Sequence, residues 1–516
     1  MKFPEFSKYE FSALLIIATA FTYTVLRAYY LPITHDEAAS SLYLASRSFS
    51  SILLNNGPFT VNNHLLNTLL IKILIGAFGV SEFVVRIPAL IGHVLYLLGV
   101  YKTLKLFLKN NLLLCGLTIL IFNPFLLELF ACARGYALGL GFSSVGIYLL
   151  LRCVKDQLDS KKYLYVSWSF IMFAFATMAN FSFFHIYLLA FLWMVGFEIK
   201  NKQLRWQSGL SIFPSVLFLI CTCIIPVVAI YLSHEIKIEH TDLMGKDGFW
   251  ENTVLSLIQA TLYNKTYSLP WVIHVIQFFI IGVIIIAGCL VAISLYSKRP
   301  LWQDPTFALL RCVSAWLMIY GLMIIFEGGV VKFGYASGRT ASFFIPLFYL
   351  LFLLVVQCLI LIEGQFRRVR TVGHYLVVLF TFISFTHFYN CANFEDFYLA
   401  NYCKSTRDVI RYLVQLHKGE RLKDASVSIG THRIFTPMLN FYITKYGVHW
   451  LKFLPYRENL RGDFDYYYLC AKNSRFLEKP EMVKDLLIVG QHYSSSHLKV
   501  IKIFPESGSY LAIPQK

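Results

Sequence analysis

The feature that most limits this chain is the recurrence of apolar runs of bilayer length. Leu14–Leu26, Trp271–Leu295 and Ile345–Ile362 are three of many, and a membrane span needs about 20 mostly apolar residues. A chain with so many cannot bury them in one water-soluble core. Charge content agrees: 15% of the 516 residues are charged, against about 25% in an average soluble domain. The expected fold class is a polytopic α-helical membrane protein.

Apolar length places eleven spans near 11–31, 84–101, 111–130, 136–151, 163–180, 183–198, 209–232, 270–296, 312–327, 342–362 and 372–390. No small-residue cleavage site follows the first run, so Phe11–Leu31 reads as a retained span rather than a cleaved leader. Lysine and arginine in the short loops set the orientation. Eighteen of them fall in six compact clusters on the N-terminal side, against ten spread over longer segments on the other side up to residue 390. The N-terminus is therefore expected in the cytoplasm and, with an odd number of spans, the C-terminus outside.

This arrangement gives a membrane domain over 1–390, with long outward loops at 32–83 and 233–269, and a small α/β domain over 391–516. In the first loop, Asp36–Leu54 is expected to be helical. Leu65–Gly76 is expected to lie as an interfacial amphipathic helix, with Asn67 and Lys72 opposite its apolar residues. If this segment spanned the membrane instead, the topology would flip. In the C-terminal domain a helix is expected over 404–416 and strands over Ala425–Ile429, Tyr466–Leu469, Leu486–Val489 and Leu498–Phe504.

Several function classes drop out. The net charge of +17 resides in the loop clusters, with no basic stripe and interleaved aromatics, so nucleic acid is not an expected partner. No P-loop follows a strand. The 11 cysteines lack metal-type spacing; a Cys391–Cys403 disulfide is open but not expected. Asp463-Phe464-Asp465 is formally a DxD, a pattern too common to count as a metal motif. Asn180-Phe-Ser182 and Asn264-Lys-Thr266 are glycosylation sequons in form only.

The residues that could carry chemistry gather at the outward ends of the spans. Thr34-His35-Asp36-Glu37 follows Pro32. Thr34 and Glu37 have capping-box spacing, which leaves Asp36 as a candidate general base for a hydroxyl nucleophile. Arg86, Arg134 and Arg339, with Lys332 nearby, are cations beside the hydrocarbon. Such arginines are costly and tend to be paired or functional, and together they suit an anionic leaving group. Asn62, Asn63, His64 and Asn67 form a polar cluster that suits sugar or phosphate, and Glu128 lies one turn from the end of the third span. His35 and His64 could join Asp36 around a divalent ion, although the spacing is not diagnostic.

Four motifs in order resemble the polyprenyl-phosphate-dependent glycosyltransferases of the GT-C superfamily, related to protein O-mannosyltransferases and the lipid A aminoarabinose transferase. They are His-Asp-Glu-Ala at 35–38; Asn-His-Leu-Leu-Asn at 63–67 leading to Ser-Glu-x-x-x-Arg-x-Pro at 81–88; Asn-Pro-Phe-Leu-Leu-Glu with Ala-Arg-Gly-Tyr at 123–136; and Gly-Arg-Thr with Ile-Pro-Leu at 338–347. The likeness is to the uncharacterised bacterial members, and it covers most of the membrane part. It implies a cell-envelope enzyme of the bacterial inner membrane, with Asp36 as the catalytic base. Arg134 and Arg339 would contact the donor phosphate, with Glu37 and His64 nearby. Its expected partners are a polyprenyl-phosphate-linked sugar and a glycan, lipid or protein acceptor within the membrane lipid. A divalent metal is left open as a cofactor. Many relatives carry His-Pro-Pro or Lys-Pro-Pro where this chain departs from the pattern with His64-Leu65-Leu66. The rival expectation, a transporter or lipid flippase, usually places its charges at the midplane of repeated halves, and no repeat is visible here.

Overall fold

The computed structural model describes residues 7–55, 62–156, 162–201, 245–263, 265, 267, 269, 271–297, 299–362, 367–398, 400–419, 426–455, 464–470 and 498–515. The chain forms two compact units. One comprises Met1–Val25, His64–Asn67 and Pro88–Ala392; the other comprises Leu26–Asn63, Thr68–Ile87 and Asn393–Lys516. The residues expected to form a C-terminal domain are thus part of a unit that also takes in the segment carrying His-Asp-Glu.

The helices are α1 (Lys8–Tyr30), α2 (His35–Ala39), α3 (Phe49–Leu53), α4 (Leu65–Phe78), α5 (Glu82–Leu104), α6 (Asn110–Ile121), α7 (Pro124–Phe130), α8 (Tyr136–Asp156), α9 (Lys162–Ala179), α10 (Phe184–Asn201), α11 (Ser256–Thr261), α12 (Val272–Tyr296), α13 (Pro305–Phe326), α14 (Phe344–Ile362), α15 (Arg367–Cys391), α16 (Thr406–Gly419) and α17 (Thr436–Tyr446). Among the described residues six helices are long and apolar enough to cross a membrane, and seven if the bent pair α6–α7 counts as one. The chain is a polytopic helical membrane protein by this measure. Ten of the eleven expected runs coincide with helices, and the run at 209–232 lies outside the described residues. Helix α12 explains why lipid is needed: Phe278 is 74% exposed and Ile285 59%, an apolar surface that water would not tolerate at this size.

The run expected at 111–130 is broken rather than straight. Asn123 caps α7 by accepting from the Leu126 N–H at 3.0 Å, and Pro124 opens it. Proline at the first helical position ends the preceding helix, and the two halves meet at 61°. The helix expected over 36–54 is also interrupted. A π-helical turn, Ser40–Leu44, follows α2, and Ser48 then caps α3 by accepting from the Ser51 N–H.

Helix α4 has 14 residues, about 21 Å at 1.5 Å per residue, against about 30 Å of hydrocarbon. Its faces are inverted relative to a helix in water. Asn67 and Thr68 are fully buried, whereas Ile73 is 57% exposed and Phe78 70%. Lys72, on the side opposite the apolar residues, donates its ammonium to the carbonyls of Ala45 (3.1 Å) and Arg47 (2.7 Å).

Among the described residues the second unit carries a four-stranded sheet in the order β1-β2-β4-β3, with β1 Ile429–Thr431, β2 Tyr466–Cys470, β3 Leu498–Phe504 and β4 Ser509–Pro514. β1 and β2 are parallel; the other two pairings are antiparallel. Helix α16 and strands β2 and β3 sit where the alternation of apolar residues put them. The first strand is shifted to 429–431, because Val427 forms an isolated bridge to Leu451 instead. The strand expected at 486–489 lies outside the described residues, and β4 and α17 were not expected. Cys391 and Cys403 are both buried and not joined in a disulfide.

Candidate active site

The second unit builds the surroundings of Asp36 from the backbone up. Thr34 and Glu37 form the capping box: the Thr34 N–H donates to Glu37 Oε2 at 2.9 Å, and the Glu37 N–H donates to Thr34 Oγ1 at 3.4 Å. A second task falls on the same carboxylate. Arg86 meets Glu37 in a bidentate pair, Nε to Oε1 and Nη2 to Oε2, both at 2.8 Å, with both side chains fully buried. The remaining guanidinium donors go to carbonyls: Nη1 to Ala28 (3.1 Å) and Leu31 (2.8 Å), and Nη2 to Pro32 (2.8 Å). A guanidinium has five N–H donors, and all five are spent inside the protein. The expectation that Arg86 binds donor phosphate is thereby corrected: this arginine caps the end of α1 and neutralises Glu37.

Arg27, not singled out in the sequence, repeats the device. It is 2% exposed and donates to the carbonyls of Asn393 (3.2 Å) and Asp396 (3.0 Å). Both guanidinium groups lie by the Phe397 ring, at 5.6 Å for Arg27 and 5.1 Å for Arg86, within cation–π range. A cation in the last turn of an apolar span is the signal that could have found it. Asp36 stands on this framework, half-buried, in the first turn of α2, where a carboxylate is favoured by the helix dipole. Asn63, expected to bind substrate, spends its amide N–H groups on the Ile52 carbonyl (3.0 Å) and Asn55 Oδ1 (2.8 Å), which closes the loop locally.

In the first unit, a second cluster forms around the turn 132–136. Asn67 donates to the Ala133 carbonyl at 3.3 Å, and the His64 ring meets Tyr136 edge-on at 5.5 Å. The Arg339 guanidinium lies 6.0 Å from the same Tyr136 ring. Arg134 is nearly buried. Gly135 makes the turn feasible: a Cβ there would stand 1.7 Å from the Ala179 carbonyl oxygen and 2.9 Å from His64 Cβ. Arg339 is fixed from below by its own 3₁₀ turn, in which the Ser337 N–H donates to Thr340 Oγ1 (2.9 Å) and the Gly338 N–H to Ser256 Oγ (3.0 Å). His64, Arg134 and Arg339, far apart in sequence, thus share one aromatic residue or its turn.

Glu128 is buried and accepts from the Tyr263 hydroxyl, the arrangement of a structural acid. Lys332 is exposed and takes a left-handed conformation (φ 60°) at the end of the π-helical turn Glu327–Val331. That turn carries a pairing the sequence gave no hint of: His185 Nε2 lies 2.7 Å from Glu327 Oε1, joining residues 142 positions apart. Asp465, of the DxD, accepts from the Ser428 N–H and hydroxyl, both at 2.7 Å, a strand-end contact; Asp463 lies outside the described residues. Among the described residues no group of three or more His, Cys, Asp or Glu is placed to hold a metal ion.

No family model and no curated protein matches the chain. Solved structures do. ArnT from Cupriavidus metallidurans bound to undecaprenyl phosphate is similar over 97% of each chain, at 10% identity and a TM-score of 0.47. The same protein in its apo state gives 9% identity, 97% of each chain and 0.41. The oligosaccharyltransferase AglB from Archaeoglobus fulgidus, in complex with an inhibitory peptide and a dolichol-phosphate, is similar over 99% of this chain and 75% of its own, at 10% identity and a TM-score of 0.40.

Proposed function

We propose that this chain is a membrane glycosyltransferase of the GT-C kind, moving a sugar from a polyprenyl-phosphate donor to an acceptor hydroxyl on a glycan, lipid or protein. The observation that carries the reading is the setting of Asp36. Its neighbour Glu37 is consumed by the capping box and by Arg86, so the first turn of α2 is a rigid mount and Asp36 its half-buried carboxylate. Preorganisation of this sort is what a general base needs.

In the proposed reaction the acceptor hydroxyl gives its proton to Asp36 as its oxygen bonds to the anomeric carbon. The bond from that carbon to the phosphate oxygen breaks with its electron pair, releasing polyprenyl phosphate. A single displacement inverts the anomeric centre. Arg134 and Arg339 are assigned to the phosphate, whose negative charge grows as the bond breaks, and His64 and Lys332 support them. Lipid-linked donors suit an enzyme that works outside the cytosol, in line with the expected inner-membrane orientation.

Purified protein supplied with polyprenyl-phosphate sugars and an acceptor extract tests the reading, with Asp36→Asn in parallel. The substitution is expected to lower transfer by about 10²- to 10⁴-fold. Undiminished transfer would remove Asp36 from the mechanism, and substrate movement without a new glycosidic bond would support a transporter.

A further inference from the structure

The N–H groups that open a helix find no partner within it. At the start of α2 two consecutive backbone donors are nonetheless engaged. The Ile33 N–H donates to the Tyr442 hydroxyl oxygen at 2.9 Å and the Thr34 N–H to Glu37. The His35 ring adds a third bond, Nδ1–H to the Ile434 carbonyl at 2.8 Å. Only one of the three partners is local. Tyr442 is fully buried, so no water can substitute for it.

The elements bearing these partners are themselves fixed to the same segment. Asn440 donates to the Tyr43 hydroxyl (3.0 Å) and is locked by reciprocal bonds with Leu454, both 2.8 Å. Arg407 donates to the Tyr30 carbonyl at 3.2 Å, and Lys445 pairs with Glu82 at the start of α5. Arg407, Ile434, Asn440 and Tyr442 therefore hold the acid-bearing segment before, at and after Asp36.

We infer that Ile434 and Tyr442 are positioning elements for the general base, and that they serve the reaction by fixing the first turn of α2. The inference rests on the reading of Asp36 as base. A displacement of about 1 Å at a reacting group costs on the order of 100-fold in rate, so loss of one clamp should appear in turnover.

The test uses the full chain. Tyr442→Phe deletes the acceptor and keeps the ring; His35→Phe deletes the ring donor and keeps an aromatic ring; His35→Asn restores a donor. Transfer from the polyprenyl-phosphate sugar panel is measured with amide exchange of the 31–44 segment and the folded fraction of each variant. Expected are a roughly 10- to 100-fold fall in kcat for Tyr442→Phe and His35→Phe, donor KM within about twofold, faster exchange at 33–36, and near-normal turnover for His35→Asn. Unchanged exchange, equal behaviour of the two His35 variants, or a fall matching only the loss of folded protein would overturn it. Asp36→Asn separates the two claims. If it is inactive while Tyr442→Phe turns over normally, the positioning inference alone fails; full transfer by Asp36→Asn sinks both.

Discussion

The two polar clusters are built by different means. Around Asp36 the fixing contacts are directional: a bidentate charge pair, three capped carbonyls and consecutive N–H groups each with an acceptor. Around Arg134 and Arg339 contacts of shape stand beside the hydrogen bonds of the 337–340 turn: a glycine pressed on a carbonyl, and the Tyr136 ring shared by His64 and Arg339. Buried hydrogen bonds and charges fail abruptly when one partner leaves, because the other is stranded. Steric and ring contacts weaken by degrees. The turn that carries Asp36 thus depends on buried pairs, and the turn that carries Arg134 on close packing.

The largest expected effect tests the rigid side. Arg86→Ala strands a buried carboxylate and should cost about 3–5 kcal/mol of stability, read by thermal unfolding in detergent. Arg86→Lys should recover little, since an ammonium offers three donors in place of five. A loss below about 1 kcal/mol would show that Glu37 is solvated and that the contrast is false. Gly135→Ala should be milder, about 1–3 kcal/mol from overpacking. Gly76→Ala, where an added Cβ meets nothing within 4 Å, should stabilise α4 slightly. If the two alanine variants melt alike, the turn at 135 has room to relax.

Smaller still is the ring contact. Tyr136→Phe should leave donor affinity intact, whereas Tyr136→Leu should lose about 0.5–2 kcal/mol of it through Arg339; equal losses would mean that the hydroxyl matters instead. The smallest effect concerns pH at the sheet. The Ser428 bonds hold the Asp465 carboxyl below its ordinary range. A depressed carboxylate contributes stability above its unfolded value, near 3.9, and loses it as pH falls through the lower folded one. Ser428→Ala should flatten this part of the acid profile, and an unaltered profile would assign it elsewhere.

Much of the fold was legible because the bilayer demands length and apolarity, both of which are local. Ten runs landed on helices for that reason, and Thr34-x-x-Glu37 announced its own capping box. Long-range pairing carries no such signal. Arg86 looked like a phosphate ligand because its sequence neighbours do not include Glu37. His185 and Glu327 are ordinary until folding joins them, and α4 shows its polar residues without saying that they face protein. Asn63 carries a related ambiguity: an amide that closes a loop and one that binds a sugar have the same spelling.

The hydrogen bond from Ile33 to Tyr442 crosses 409 positions, and that distance is also a time. Ribosomes add about 5–20 residues per second, so roughly 20–80 s separate the emergence of the two partners. Throughout that interval the first helix has left the ribosome but its acidic turn lacks its acceptors. A nascent chain therefore stays unfinished at Asp36 until residue 442 has emerged, and truncation before that residue would release a protein that has its apolar helices but not the anchor of its first turn.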